Sequence, residues 1–378
     1  MTPRLRHVAL NALWFDPGRS SGTETYLRGL VPALALERPD LRISLATTRR
    51  GADALAEAGW RDFCALVRVP TDEGQRVRRL LSELVRFPDL ARRRGCDLLH
   101  SLSNTGPALT PAPHVVTIHD VIFFHHATMP WTTTRATRAV VSAAARRAAG
   151  VITVSEASRE AIVATLPVAP ERVSVVHNGA GREPGVAVPA DALRRRLAIP
   201  AASRVVLCVA ALRPHKNQAL LVRALRRLPA DVVLVLAGHE EAYADELRAL
   251  GAELEVQDRL RFPGYVSDPE LEGLYALATC AAFPTLAEGF GLPVLEALRR
   301  GLPVACSDLT VLREVGGSAC VYFDPHDDAD AARAALTVLE RDRGAPAGTD
   351  RAARFGWEAT AQGTLAAYER ALAEGGGG

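Results

Sequence analysis

The stretch FPTLAEGFGLPVLEALRRGLP, Phe283 to Pro303, is where a strand, a loop and a helix can be read most sharply. The apolar run Ala278 to Phe283 has strand length and ends at Pro284. A loop carrying Glu288, Gly289, Phe290, Gly291, Leu292 and Pro293 follows, and Val294, Leu295 and Leu298 then recur at the spacing of one helical face. Pro293 suits the first helical position, where a missing N–H costs nothing. Gly301 and Pro303 end the helix. Gly289 and Gly291 therefore lie at the mouth of a strand-to-helix turn, where free backbone N–H groups and the helix dipole favour an anion. Glu288 and Glu296 bracket that mouth, eight positions apart.

Taken singly, Glu296 reads as an acid complementing the helix dipole and Glu288 as a surface residue. The whole string is more specific. It closely resembles the paired-glutamate motif of the retaining glycosyltransferases of family 4, the glycogen-synthase-like group. The resemblance implies an α/β protein of GT-B fold: two Rossmann-like, doubly wound domains facing a cleft, with a C-terminal helix crossing back to the first domain. It spans nearly the whole chain, most closely from Val205 to Pro325 and least before Asp97.

The composition is compatible. A chain of 378 residues suits two domains, and a hydrophobic content of 48% is that of a globular protein. A net charge of +2 gives no argument for nucleic acid. The six cysteines form no C-x-x-C pair and read as small buried hydrophobes of a reducing compartment. No signal peptide and no long uncharged apolar run is visible, so a cytoplasmic enzyme is expected. Of the 45 basic residues, 44 are Arg and one, Lys216, is Lys. That bias singles out Lys216 as a place where an ammonium is needed rather than a guanidinium.

From the N-terminus, Val8 to Phe15 reads as a strand, Pro17 to Glu24 as a Gly-containing loop, and a helix is expected from about Thr25. The loop lacks the G-x-G-x-x-G fingerprint of nicotinamide enzymes. The family usually has a Gly-Gly pair here; this chain has Ser21-Gly22, so the resemblance assigns Gly22 to the approach of donor phosphate. Residues 75–94 form an Arg-rich amphipathic pattern broken near Pro88, suited either to peripheral contact at the inner face of an anionic membrane or to a solvated face. His114 to Asp120 ends a strand in His-Asp. His125 and His126 lie close by in sequence but lack metal-ligand spacing on one element. By resemblance, His119 contacts a hydroxyl of the donor sugar, its carbonyl lies near the anomeric carbon, and Asp120 orients it or touches the acceptor. The Gly/Pro-rich stretch 181–189 marks the domain boundary: 1–183 on the acceptor side, 190–355 binding the nucleotide sugar, 356–374 the crossing helix and 375–378 a tail.

The second half opens with the strand Arg204 to Leu212, the loop Arg213-Pro-His-Lys-Asn217 and a helix from Gln218 to Leu228. Arg213 and Lys216 sit where open α/β sheets bind ligands, and two cations there suit a diphosphate. The string LRPHKN resembles the family's phosphate-gripping segment. The stretch around Val266 resembles the one whose main chain meets the nucleotide base. The triplet Asp328-Ala-Asp330 opens an Ala-rich helix rather than following a strand, which reads as a helix N-terminus and not as a metal-binding D-x-D.

Together these imply transfer of a hexose (mannose, glucose or GlcNAc type) from a GDP- or UDP-linked sugar to an acceptor hydroxyl. Glu296 would accept from the ribose hydroxyls and Glu288 from those of the hexose, and the N–H groups of Phe290 to Leu292 would meet phosphate or sugar. Arg213, Lys216 and the helix start would stabilise the departing diphosphate, without a metal or further cofactor. The acceptor is open among saccharide, lipid-linked and small-molecule hydroxyls, as is the oligomeric state. A phosphorylase on the same scaffold, an epimerase and a silent nucleotide-sugar-binding subunit are the competing readings; the paired-glutamate string argues against the epimerase.

Overall fold

The computed structural model describes residues 4–18, 21–71, 76–125 and 131–375. Arg19 and Ser20 of the first loop, Gln75 at the head of the basic helix, His126, and 376–378 lie outside these. The chain packs as two units. One comprises the residues up to Gly179 together with those from Phe355 onward; the other is Ala180–Arg354.

The first unit is built on a parallel sheet of seven strands: β1 (His7–Ala12), β2 (Arg42–Thr47), β3 (Ala65–Arg68), β4 (Leu98–Ser101), β5 (His114–Thr117), β6 (Gly150–Thr153) and β7 (Val173–Val175). Their order is β3-β2-β1-β4-β5-β6-β7, so the winding reverses between β1 and β4. β1 is buried at every position, as expected of a strand covered on both faces. It stops at Ala12 and does not run on to Phe15. The side-chain carbonyl of Asn11 takes the Leu13 N–H at 3.1 Å, and the Phe15 N–H bonds back to the Ala12 carbonyl at 3.0 Å, which turns the chain.

The first helix spans Ser21–Glu37, so it starts before Thr25 and Gly22 belongs to its first turn. The Glu24 carboxylate braces that turn, accepting from the Gly18 N–H at 3.1 Å and from Arg28 Nε at 2.8 Å. The basic segment is three pieces: Arg76–Leu81, a π turn over Ser82–Arg86, and Phe87–Arg93. The break is thus the π turn and not Pro88, which sits within the first turn of the third piece. Ser82, Glu83 and Phe87 face inward, while Leu81 and Val85 are exposed at 56% and 65%.

The C-terminal helix Trp357–Gly375 contributes Ala361, Ala367, Tyr368, Ala371 and Leu372 to the same core as Leu10, Tyr26 and Leu30. Gly29 and Gly179 flank the Trp357 indole so closely that a Cβ on either would overlap the ring. Gly29→Ala should therefore cost about 1–3 kcal/mol through overpacking, read as a lowered melting midpoint. Gly356→Ala, whose Cβ would meet open space, should leave the midpoint in place.

The second unit carries six parallel strands: β8 (Arg204–Val209), β9 (Val232–Ala237), β10 (Leu260–Gly264), β11 (Cys280–Phe283), β12 (Val304–Ser307) and β13 (Cys320–Phe323). The order β10-β9-β8-β11-β12-β13 puts its switch point between β8 and β11. The triplet at Asp328 opens the helix Asp328–Leu339, capped by the Asp327 side chain, which accepts from the N–H groups of Ala329 at 2.8 Å and Asp330 at 3.1 Å. Asp328 and Asp330 pair with Arg227 and Arg333. All six cysteines are buried and free. Among the described residues, no helix is long and apolar enough to cross a membrane.

Candidate functional site

In the second unit, the loops after β8 and β11 are tied together by main-chain and amide contacts. Asn217, in the left-handed conformation at φ 57°, ends the turn Pro214–Lys216 and precedes the helix Gln218–Leu225. Its Nδ2 donates to the carbonyls of Pro284 at 3.1 Å and Pro325 at 2.8 Å. The Leu286 N–H donates to the His215 carbonyl at 2.8 Å. With the loops so held, Lys216 Nζ lies 2.5 Å from Glu288 Oε2, each side chain about one-fifth exposed at 22% and 20%. Both line a pocket of about 320 Å³, counted out to its solvent mouth, whose walls include Cys208, Val209, Gly291 and Leu312. Gly291, at φ 105°, leads into the helix Leu292–Arg299; its backbone angle suits only glycine, and a Cβ there would also press on Leu312.

Arg213 does not join Lys216 at the pocket wall. Its Nε and Nη2 donate to Glu241 Oε1 at 2.9 and 2.7 Å, and the pair is half exposed. Glu296 does not line that pocket either. Val294, Leu295, Glu296, Ala297 and Leu298 are all buried, so the helix is covered on more than one apolar face. The Tyr275 hydroxyl donates to Glu296 Oε2 at 3.1 Å, and the Arg182 N–H to Oε1 at 3.3 Å. Gly181, at φ +73°, packs directly on the carboxylate, where a side chain would collide with it. Arg300 lies 4.6 Å from the centre of the Tyr275 ring and pairs with Glu272 in a nearly buried ion pair. Burial pushes the Glu296 carboxyl above its ordinary range, while Arg300 and Arg182 pull it back.

In the first unit, His119 follows β5. Its ring Nε2 lies 3.0 Å from the Leu102 carbonyl, and its N–H donates to Asn104 Oδ1 at 2.9 Å. Its own carbonyl accepts from the Ser158 hydroxyl at 3.2 Å, and the Tyr26 ring meets the imidazole edge-on at 4.9 Å. Burial pushes the imidazole down to about 4. Beneath it, His100 bonds Tyr368 on the C-terminal helix at 2.6 Å and Thr117 at 2.8 Å, and Thr117 bonds Tyr26 at 3.1 Å. Asp120 Oδ1 accepts from the Ile122 N–H at 3.0 Å and so braces the short helix Ile122–His125.

Two family models match, described as Glycosyltransferase Family 4 over residues 20–183 and as Glycosyl transferases group 1 over residues 189–359. The chain belongs to glycosyltransferase family 4. The O-antigen chain mannosyltransferase B of Escherichia coli is 35% identical over 171 residues, 43% of this chain and 45% of that protein. The chain spans about half the length of the curated relatives it matches. The sucrose-phosphate synthase of Thermosynechococcus elongatus has the same fold, with a TM-score of 0.76 at 20% identity, over 97% of this chain and 99% of that one. So does HepE of Anabaena, solved with UDP and glucose, with a TM-score of 0.71 at 21% identity, over 96% and 98%. The fold is GT-B.

Of the remaining positions that the family 4 resemblance marks, Gly22 opens the helix after β1, and Val266 lies just beyond β10, beside the Tyr265 ring that stacks on His239 at 4.4 Å. Sequence reading missed Asn104, Ser158 and Tyr26 around His119, and Tyr275, Gly181 and Arg182 around Glu296. Each contacts the marked residue across 15 or more positions, with no local pattern to announce it. Gly181 opens a Gly/Pro-rich stretch with the look of a linker, yet it carries a positive φ against a buried acid.

Proposed function

We propose that this chain transfers a hexose from a nucleoside-diphosphate sugar to an acceptor hydroxyl, with retention at the anomeric carbon. The observation that carries this reading is the Lys216–Glu288 pair at the switch point of the second sheet. An ammonium beside a carboxylate suits a ligand in which phosphate oxygens, which accept, adjoin sugar hydroxyls, which donate. Lys216 takes the diphosphate and Glu288 the hexose hydroxyls. The N–H groups that follow Gly289 meet phosphate at the helix start. Arg213 adds a second cation on release from its exposed pair with Glu241, which holds it weakly. Glu296 has two donors already, and a carboxylate offers about four lone-pair sites, leaving room for a ribose diol. The main chain near Val266 meets the base, and His119 a sugar hydroxyl.

The reaction we propose is same-face displacement. The bond from the acceptor oxygen to the anomeric carbon forms as the bond to the phosphate oxygen breaks. The electron pair leaves with the diphosphate, which also takes the acceptor's proton. Lys216 and the helix start stabilise the charge that develops, so the leaving step needs no metal. Two observations support this over a covalent glycosyl-enzyme: the Lys216 ammonium neutralises Glu288 and makes it a poor nucleophile, and Glu296 does not line the pocket that holds the pair. The mannosyltransferase relative makes GDP-mannose the first donor to try, with UDP-hexoses next. Exposed Leu81 and Val85 on the Arg-rich segment support contact with an anionic membrane, where a lipid-linked acceptor would be met.

Thermal melting against GDP, UDP, ADP, dTDP and their sugar conjugates, with and without EDTA, tests the donor. Ligand at about 100 times its Kd adds roughly 2.7 kcal/mol, and one nucleotide should raise the midpoint regardless of EDTA. NMR of the product should show the donor's anomeric configuration kept. An inverted product, or a glycosyl adduct trapped on Glu288 or Glu296, would sink the mechanism.

A further inference from the structure

We infer that Glu83, Thr105 and Asn104 are positioning residues for His119: the loop from Leu102 to Thr105 is a clamp that sets which imidazole nitrogen carries the hydrogen, and Glu83 holds the clamp shut. This rests on the reading of His119 as a sugar-contacting group.

His119 is gripped at two points by one short loop. A carbonyl can only accept, so the 3.0 Å contact with the Leu102 carbonyl puts the ring hydrogen on Nε2 of the neutral imidazole. Nδ1 keeps the lone pair. The second grip is the bond from the His119 N–H to Asn104 Oδ1 at 2.9 Å, which fixes the backbone whose carbonyl Ser158 also holds. The ring is neutral at ordinary pH because burial drives its protonation down to about 4. An imidazole in this state recognises a hydrogen-bond donor at Nδ1, as a sugar hydroxyl is, and not a bare acceptor.

The loop is itself fastened. The Leu102 N–H donates to the Asn11 carbonyl of β1 at 3.3 Å. Gly106 sits against Ser101 and the His114 ring, where a Cβ would not fit. Between these ends, the Thr105 hydroxyl donates to Glu83 Oε2 at 2.7 Å. Glu83 is 1% exposed and comes from the π turn Ser82–Arg86, a backbone irregularity that often marks functional positions. Its other oxygen has no hydrogen-bond partner among the described residues; Arg79 Nε stands 3.6 Å away as an ion pair. A buried carboxylate so incompletely satisfied is a poor way to pack a helix against a loop, and an apolar side chain would serve packing better. Among the described residues, the hydrogen bond its carboxylate accepts comes from the clamp.

The test uses the full chain with ¹⁵N-labelled histidine, and long-range ¹H–¹⁵N correlation to read the ring, assigned by difference from His119→Asn. Wild type should show a single Nε2–H tautomer at His119. Thr105→Val should give averaged tautomers and lower kcat about tenfold or more, with KM for GDP-mannose or UDP-glucose and the melting midpoint little changed. Thr105→Ser should restore both signals and turnover. Glu83→Leu should act like Thr105→Val, whereas Glu83→Gln, which keeps an acceptor for the threonine hydroxyl, should not. Wild-type ring signals in Thr105→Val would overturn the clamp, and so would activity and midpoint falling together without rescue by serine. If wild type transfers no sugar at all, the proposed reaction fails, while the ring spectrum still decides the clamp.

Discussion

Lys216→Ala is expected to lower turnover by about 10²–10³-fold, the scale seen when one group aimed at developing charge is removed. Stability should change by about 1–3 kcal/mol, because the pair is only about one-fifth exposed and Glu288 loses its cation, though it lines a pocket open to solvent. The two readouts together separate a functional lysine from a structural one. Nucleotide protection in melting should weaken in the same variant, since the phosphate loses its cation. Lys216→Arg keeps the charge but replaces a compact ammonium with a planar fork in a pocket shaped around Val209, Glu288 and Gly291, so it should recover only part of the loss. Glu288→Gln should also be severely impaired, through lost hydroxyl recognition, yet keep its affinity for the free nucleotide. Rates retained within a factor of about three in Lys216→Ala, far below the expected scale, would remove the phosphate grip from the mechanism.

Acidification should unfold the first unit well before the second. His7, His100, His114 and His119 all belong to the first unit, and burial lowers the pKa of each. A histidine whose folded pKa lies below its unfolded value of 6.5 stabilises the fold fully above 6.5, and that contribution is lost as pH falls towards the folded value. For His114, fully enclosed beside Ser101 and pushed down to about 4, the loss across that window is about 3 kcal/mol. His100, whose two nitrogens are committed to Tyr368 and Thr117, acts in the same direction. Glu83 opposes them: burial raises its carboxyl, so protonation on acidification relieves a cost. The net should still be a fall comparable with a large part of an ordinary domain's stability of about 5–15 kcal/mol.

The measurement is convenient because all four tryptophans, Trp14, Trp60, Trp131 and Trp357, lie in the first unit. Tryptophan fluorescence in urea at pH 7, 6, 5 and 4 should show a midpoint that falls steeply below pH 6.5. Far-UV circular dichroism should retain a second, less pH-sensitive transition. A fluorescence midpoint flat down to pH 4 would mean that the buried histidines accept protons without disturbing their partners.

How much of this was legible depended on how far apart the partners lie. The turn after β11 announces itself locally, since strand length, Gly291 and Pro293 all fall within one short stretch, and the structure keeps that reading. Lys216 stood out by composition alone. Arg213 and Glu296 show the limit. That Arg213 pairs with Glu241 depends on where β9 ends relative to β8, and that Glu296 is roofed by Gly181 and Arg182 depends on a contact across 114 positions. The early start of the helix at Ser21 is decided by Glu24 reaching back to Gly18, a contact that helix periodicity does not reveal. In the basic segment, the amphipathic spacing gives no sign of the π turn Ser82–Arg86, within which Glu83 is buried and Val85 exposed.

The rarity of lysine has a practical meaning for anyone handling the protein. Lys216 carries the one side-chain amine in these 378 residues. Succinimidyl dyes, biotinylation reagents and aldehyde fixatives, usually scattered harmlessly over a surface, have one side chain to find here, and it sits against Glu288 in the pocket. A bound nucleotide should shield it. Labelling yield with and without ligand then becomes an occupancy assay, and amine coupling to a sensor chip becomes a route to immobilising a blocked protein.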